Sequence, residues 1–297
     1  MRRLPAELLL FGAVLLWSFN FTAVRFGVPH GFSPLAYAPL RWAMAGLALA
    51  VIARRRGRSL RVGRRDLGAL AALSVVGILV NQVALVYALH LAQASTVALV
   101  FGTLPILISL ISQLSGVEQL RPRHWAASGL SFAGVGLVSL GAGGTLTGSL
   151  GGMLLALVTV CSFAVYSVAI MPVMGRHSLL VATAVTTLIG ASLLSAAAAP
   201  ALARQDWSRP GGLAWSALVY SALPSIVLGN ILWFTAISRV GPGRASLYTN
   251  LQPFLAAVFA LLVLSERLGA LRIAGGFVIA AGLLLGRRRP LPAPLAE

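Results

Sequence analysis

The sequence predicts an all-α integral membrane protein, with ten transmembrane helices in two inverted five-helix repeats. Three observations carry that prediction. Hydrophobic residues make up 58% of the 297 and charged residues only 10%, against roughly 25% charged in a soluble domain. The apolar residues collect in runs of about 20, the length that crosses a bilayer. Finally, segment 81–118 has a second copy at 230–266. Ala88 pairs with Ala236, Pro105 with Pro253, Glu118 with Glu266, Leu120 with Leu268 and Gly134 with Gly282, each 148 residues apart. A hydrophobic chain built from two similar halves is the mark of a transporter with internal repeats.

The ten segments fall at about 7–26, 34–53, 67–90, 95–117, 124–142, 150–170, 178–199, 212–238, 245–264 and 269–286. Short connections carry breakers between them, among them Pro29, Gly31, Gly57, Gly141, Pro210, Gly211, Gly241 and Pro242, residues that end helices and make turns. Residues 1–145 form the first repeat, 146–290 the second and 291–297 a short tail. The start, with Arg2 and Arg3 before an apolar run, has the look of a signal peptide. Asn20, Thr22 and Arg25 follow in place of a small-residue cleavage site, so a retained first helix is expected.

All 23 basic residues are arginine, and the formal net charge is +17. With the N-terminus inside, 17 arginines fall on the inner side, including Arg54, Arg55, Arg56, Arg58, Arg61, Arg64 and Arg65 in one connection. Four, Arg204, Arg209, Arg267 and Arg272, fall outside. That asymmetry predicts cytoplasmic termini, and it explains the basic charge without nucleic acid. Five segments per half is an odd number, so the second half enters the membrane from the opposite side. A substrate site near the midplane between the halves is the expected consequence.

The chain resembles the drug/metabolite transporter superfamily in its EamA branch. The likeness rests on LLWSFNFTAVRFG, PLAYAPLRW, ALVYALHLAQASTVALVFGTLPI, WFTAISRVGPGRASLYTNLQPF and SERLGALRIAGGFVIAAGLLL, in that order. The resemblance implies a bacterial inner-membrane carrier of small metabolites, often amino acids or drugs, usually moved outward.

Pro105 and Pro253 fall mid-segment, where each removes a backbone donor. Helix kinks lining a cavity are expected there, since irregular backbone at that depth must be satisfied by protein or water. Tyr248, Asn250 and Gln252 precede Pro253, and buried amides must face the bundle interior. Asn230 and Trp233 lie one turn apart, and Tyr166 shares a stripe with Thr159 and Ser162. Aromatic residues with a polar handle suit an amphipathic substrate. Asn20 lies near mid-depth of the first segment. Arg41, four residues after Tyr37, sits about 10 Å into the second. An intramembrane charge costs on the order of 3 kcal/mol and marks a functional site; a helix partner, an anionic substrate group or snorkelling would each account for it. These nine residues, Asn20, Tyr37, Arg41, Tyr166, Asn230, Trp233, Tyr248, Asn250 and Gln252, are the substrate-binding candidates. Glu118 and Glu266 read as caps on the helices that follow them.

No carboxylate falls at mid-membrane, and His30, His90, His124 and His177 are scattered at segment edges. No metal site, catalytic cluster or cofactor is expected. The partners expected are a small-molecule substrate and the bilayer, with the protein a monomer or weak dimer. The leading function is secondary export of amino acids or related amphipathic metabolites by alternating access. A multidrug efflux carrier is the alternative, with a channel or scaffold behind it.

Overall fold

A computed structural model describes residues 4–27, 29–142, 149–264 and 269–286. Glu266, Arg267, Leu268 and Arg287–Arg289 lie outside these residues, as do Arg2, Arg3, Gly143 and Gly144. The described residues hold helices and no strand. In chain order these are α1 Ala6–Gly27, α2 Pro34–Arg55, α3 Arg64–Leu91, α4 Ala94–Phe101, α5 Leu104–Leu114, α6 Pro122–Leu140 and α7 Leu150–Ala169. They continue with α8 Met171–Arg176, α9 Leu179–Ala197, α10 Ala199–Ala203, α11 Gly212–Val240, α12 Pro242–Ser246, α13 Leu251–Leu264 and α14 Ala270–Gly286. Among the described residues, eight stretches are long and apolar enough to cross a membrane. Helices α6 and α14 occupy the places of the fifth and tenth expected segments.

Each half contains the same two departures from α-helix. Val75–Val80 in α3 and Ser221–Leu228 in α11 are π-helical, and their C-terminal ends are 148 residues apart. In α11 the cause is local: Pro224 removes a donor inside the segment, and a π-turn absorbs the loss. The second departure takes the place of the expected kinks. The chain between α4 and α5 turns at Gly102 and Thr103, and a 3₁₀ turn, Leu247–Asn250, separates α12 from α13. Pro105 and Pro253 fall in the first turn after each interruption, where a missing N–H costs no helical bond.

Helices α6 and α14 pack on glycine. A Cβ on Gly134 would lie 2.8 Å from the Gly275 carbonyl oxygen, and one on Gly275 would lie 2.6 Å from that of Gly134. A Cβ on Gly282 would meet Ser131 and the Ala127 carbonyl oxygen, and Gly141 faces Leu271 and Arg272. Residue numbers rise along one helix as they fall along the other, so the pair is antiparallel. Shifting each residue by 148 exchanges the two sides of the contact: Gly134 against Gly275 and Ile279 becomes Gly282 against Ala127 and Ser131. Small residues at these points bring the backbones together, as packing in lipid requires.

Two polar ties repeat the pattern at the loops. Gln205 accepts from the Ser33 N–H and donates to the Gly31 carbonyl oxygen, both at 2.8 Å. Asp66 holds Arg176 at 2.6 Å and His177 at 2.7 Å. The first joins the α1–α2 loop to the segment before α11. The second joins the α8–α9 loop to the start of α3.

Candidate functional site

Two helices, α1 and α2, converge on the π-helical part of α11. Trp17 of α1 donates its indole N–H to the Ser225 carbonyl oxygen at 3.1 Å, and the Tyr220 hydroxyl donates back to the Leu16 carbonyl oxygen at 3.1 Å. Trp17 fits because Gly229 has no side chain. Tyr37 of α2 is 2% exposed, its hydroxyl 2.7 Å from Ser221 Oγ and donating to the Ala217 carbonyl oxygen. Asn20 and Arg41 each lie one turn, roughly 5–6 Å, further along their helices. The helices run in opposite directions, so both residues reach the level of the π-turn.

Arg41 does not meet a carboxylate there. Its Nη2 donates to Gln82 Oε1 at 2.7 Å, Gln82 Nε2 donates to Asn81 Oδ1 at 2.8 Å, and Asn81 Nδ2 donates to the Thr159 carbonyl oxygen at 2.8 Å. The relay ties α2, α3 and α7 together. Arg41 Nε is buried and has no partner. The sequence reading missed Asn81 and Gln82, although Gln82 stands 148 residues before Asn230 and so marks the same place in the first half.

One turn beyond Thr159 the surface becomes aromatic. Phe163 meets Trp17 edge-on at 6.2 Å between centroids, and Trp17 meets Trp233 at 5.3 Å. Tyr166 stacks edge-on against Phe234 and covers Gly77 of the α3 π-turn. Tyr248 packs on the same cluster. Of the nine predicted residues, Tyr166, Trp233 and Tyr248 are thus gathered in one cluster, with Asn230 one turn from Trp233. Tyr37 instead spends its hydroxyl on a helix–helix joint. Gln252 lies partly buried in the first turn of α13.

Several polar atoms here are buried without a partner: Asn20 Oδ1, Trp233 Nε1 and both amide atoms of Asn250. Asn250 is 1% exposed. A buried donor or acceptor left unpaired costs about 1–3 kcal/mol.

Glu118 does not cap the helix that follows it, whose N-cap is Arg121. Its Oε2 accepts from Ser112 Oγ at 3.0 Å and from the Gly243 N–H at 2.6 Å, so it closes the start of α12 in the other half. Among the described residues no group of three His, Cys, Asp or Glu side chains could hold a metal.

The EamA-like transporter family matches residues 4–140 and 150–286. A probable terminal-alkyne amino-acid exporter of Streptantibioticus cattleyicolor is 27% identical over 280 residues, covering 94% of this chain and 92% of that protein. The uncharacterized inner membrane transporter YedA of Escherichia coli K12 is 26% identical over 307 residues, covering 99% and 96%. A solved crystal structure at 23% identity superposes with a TM-score of 0.80 over 94% of this chain and 95% of that one, a likeness of fold. With the family matched in both halves, this multi-pass membrane protein belongs to the EamA-like transporter family.

Proposed function

We propose that this transporter exports small amphipathic metabolites bearing a carboxylate, with amino acids the leading class. It works by alternating access between inverted halves 1–145 and 146–290, in ten spans, with both termini on the cytoplasmic side of the bacterial inner membrane. The carrying observation is Arg41, a guanidinium inside the bundle that bonds to an amide and leaves Nε unpaired. An intramembrane charge with no carboxylate partner among the described residues calls for an ionic partner, and a carboxylate matches the guanidinium fork. The aromatic cluster of Trp17, Phe163 and Trp233, one turn from the relay, suits the apolar part of the same solute. The amino-acid exporter among the relatives supports the same class.

The inverted arrangement has its own support. The antiparallel α6–α14 contact maps onto itself under the 148-residue shift, and the ties at Gln205 and Asp66 each join the loop after one half's first helix to the approach to the other half's third. An axis perpendicular to antiparallel spanning helices lies in the membrane plane, the relation that lets one half open as the other closes.

Multidrug efflux is the second reading, favoured by the aromatic cluster and opposed by the sign of Arg41, which repels cationic drugs. Proteoliposome counterflow with amino acids, sugars and cationic dyes, with and without a pH gradient, decides. Flux of amino acids supports the proposal, flux of dyes alone transfers it to efflux, and no flux for any solute removes it.

A further inference from the structure

Seven of the arginines counted on the inner side stand in one short stretch, residues 54–65 between α2 and α3. The other inner connections and ends carry one to three each. Orientation needs an excess of positive charge on one side; it does not need that excess gathered at one connection. All seven are exposed, and among the described residues none of them forms an ion pair. The neighbouring carboxylate, Asp66, is already held by Arg176 and His177. Like charges without a counter-charge repel one another, so the stretch favours an anionic partner.

The stretch has a fixed shape. The Gly57 N–H, at φ +67°, donates to the Arg54 carbonyl oxygen and the Arg58 N–H to the Ala53 carbonyl oxygen, both at 2.9 Å. These two bonds close the end of α2. Leu60 packs against the buried cluster of Leu49 and Ala184, and both Leu60 and Val62 pack against that of Leu70 and Val181. With these two side chains turned inward, the arginines beside them stay outside.

The charges also stand next to exposed apolar surface. Arg54 and Arg55 occupy the last turn of α2, and Arg64 and Arg65 the first turn of α3. Leu47, Val51 and Arg55 recur at four-residue spacing on one face of α2, and Arg64 and Leu67 share a face of α3. The three apolar side chains are exposed. Both helices are long and apolar enough to cross a membrane, so the arginines fall at the level of the headgroups and the apolar side chains at that of the acyl chains.

We propose that the α2–α3 connection is a binding surface for anionic phospholipids of the leaflet it faces. The guanidinium forks of Arg55 and Arg64 hold phosphate oxygens, and the acyl chains lie along Leu47, Val51 and Leu67. A nucleic acid or an acidic protein would meet the charge but leave the apolar strips unused. The surface depends on α2 and α3 spanning the membrane and on no assumption about the transported solute.

Titration of the purified full chain in mixed micelles with phosphatidylglycerol and with phosphatidylcholine tests the surface, bound lipid being counted by native mass spectrometry. Wild type is expected to bind phosphatidylglycerol about tenfold or more tightly than phosphatidylcholine, and added salt should narrow the gap. Arg55→Gln with Arg64→Gln should remove most of that preference. Arg121→Gln with Arg123→Gln, which lowers the net charge equally on another inner connection, should leave it within about twofold. Arg55→Lys with Arg64→Lys should keep part of it, as a point charge without the fork does. Unfolding midpoints in lipid-free detergent verify that each pair is folded. A wild type that does not distinguish the two lipids overturns the proposal without any variant. So does an equal loss in the Arg121–Arg123 pair, which reduces the effect to net charge. A single-stranded oligonucleotide that displaces phosphatidylglycerol at equal phosphate concentration also overturns it, in favour of nucleic acid. The counterflow panel decides the carrier reading separately.

Discussion

The carboxylate of Glu118 accepts the backbone N–H of Gly243 at 2.6 Å across 125 residues of sequence. Gly241, two residues earlier, has φ +86° and no room for a Cβ beside Glu118, and a Cβ on Gly243 would press on Glu118 and Leu120. The end of the first half's broken helix thus grips the hinge into the second half's broken helix. A charge-assisted hydrogen bond of this kind contributes about 1.5–3 kcal/mol. Glu118→Ala should lower the unfolding midpoint in detergent and slow counterflow, with Glu118→Gln intermediate because its amide oxygen still accepts. Gly241→Ala should be worse than either, since it adds both strain at positive φ and a clash. A Glu118→Ala protein as stable and active as wild type would remove the grip.

Arg41 and Gln82 give a sharper test of the substrate's charge. Gln82→Glu places a carboxylate within hydrogen-bond reach of Arg41 Nη2, in a site where the wild-type partner is neutral. The new ion pair should raise the unfolding midpoint while occupying the guanidinium, so anionic and zwitterionic solutes should bind at least tenfold more weakly, about 1.4 kcal/mol. Arg41→Lys keeps the charge but loses the fork, and should also weaken binding. If Gln82→Glu binds carboxylate solutes as wild type does, Arg41 is a structural residue only.

The sequence singled out Arg41 and the matched prolines because a charge and a missing donor both break a local rule that lipid enforces. It was silent on the π-turn of α3, because VVGILV holds no proline and reads as ordinary apolar helix. Pro224 in the matching stretch of α11 was the one local clue. Asn81 and Gln82 were visible as amides, but their role depends on Arg41 and Thr159, which are 41 and 78 residues away. For the same reason Glu118 read as a cap on its own neighbour. Helix-end preference is local, whereas the Gly243 N–H reaches it only through the packing of the two halves. Tyr37 entered only as the residue one turn before Arg41, and its hydroxyl lies 2.7 Å from Ser221 Oγ. Its chosen partner, Ser221, could not be read from spacing.

The α6–α14 contact predicts a paired response. Valine at Gly134, Gly275 or Gly282 adds volume against backbone atoms that cannot move aside, and overpacking of this sort costs typically 1–3 kcal/mol. All three should lower the folded yield and unfolding midpoint, Gly134→Val and Gly282→Val to a similar degree, because the exchange relation puts those two in equivalent surroundings. Gly129→Val on the same helix is the control, since nothing lies within 4 Å of its Cβ position. A Gly282→Val protein no less stable than Gly129→Val would deny the close approach.

Topology can be tested with the chain's own chemistry. Cys161 is the only cysteine, so Cys161→Ala gives a background without thiols. Ser59 lies in the arginine-rich α2–α3 connection and Ser208 in the segment before α11, and both are exposed. Both termini inside and five spans per half require these serines on opposite faces. In intact cells a membrane-impermeant maleimide should label Ser208→Cys and spare Ser59→Cys, and disruption of the membrane should expose both. Neither substitution alters an arginine, so the 17-to-4 asymmetry from which the orientation is predicted is preserved. Labelling of Ser59→Cys from outside would reverse the orientation, and labelling of both from outside would break the even alternation on which the inverted halves depend.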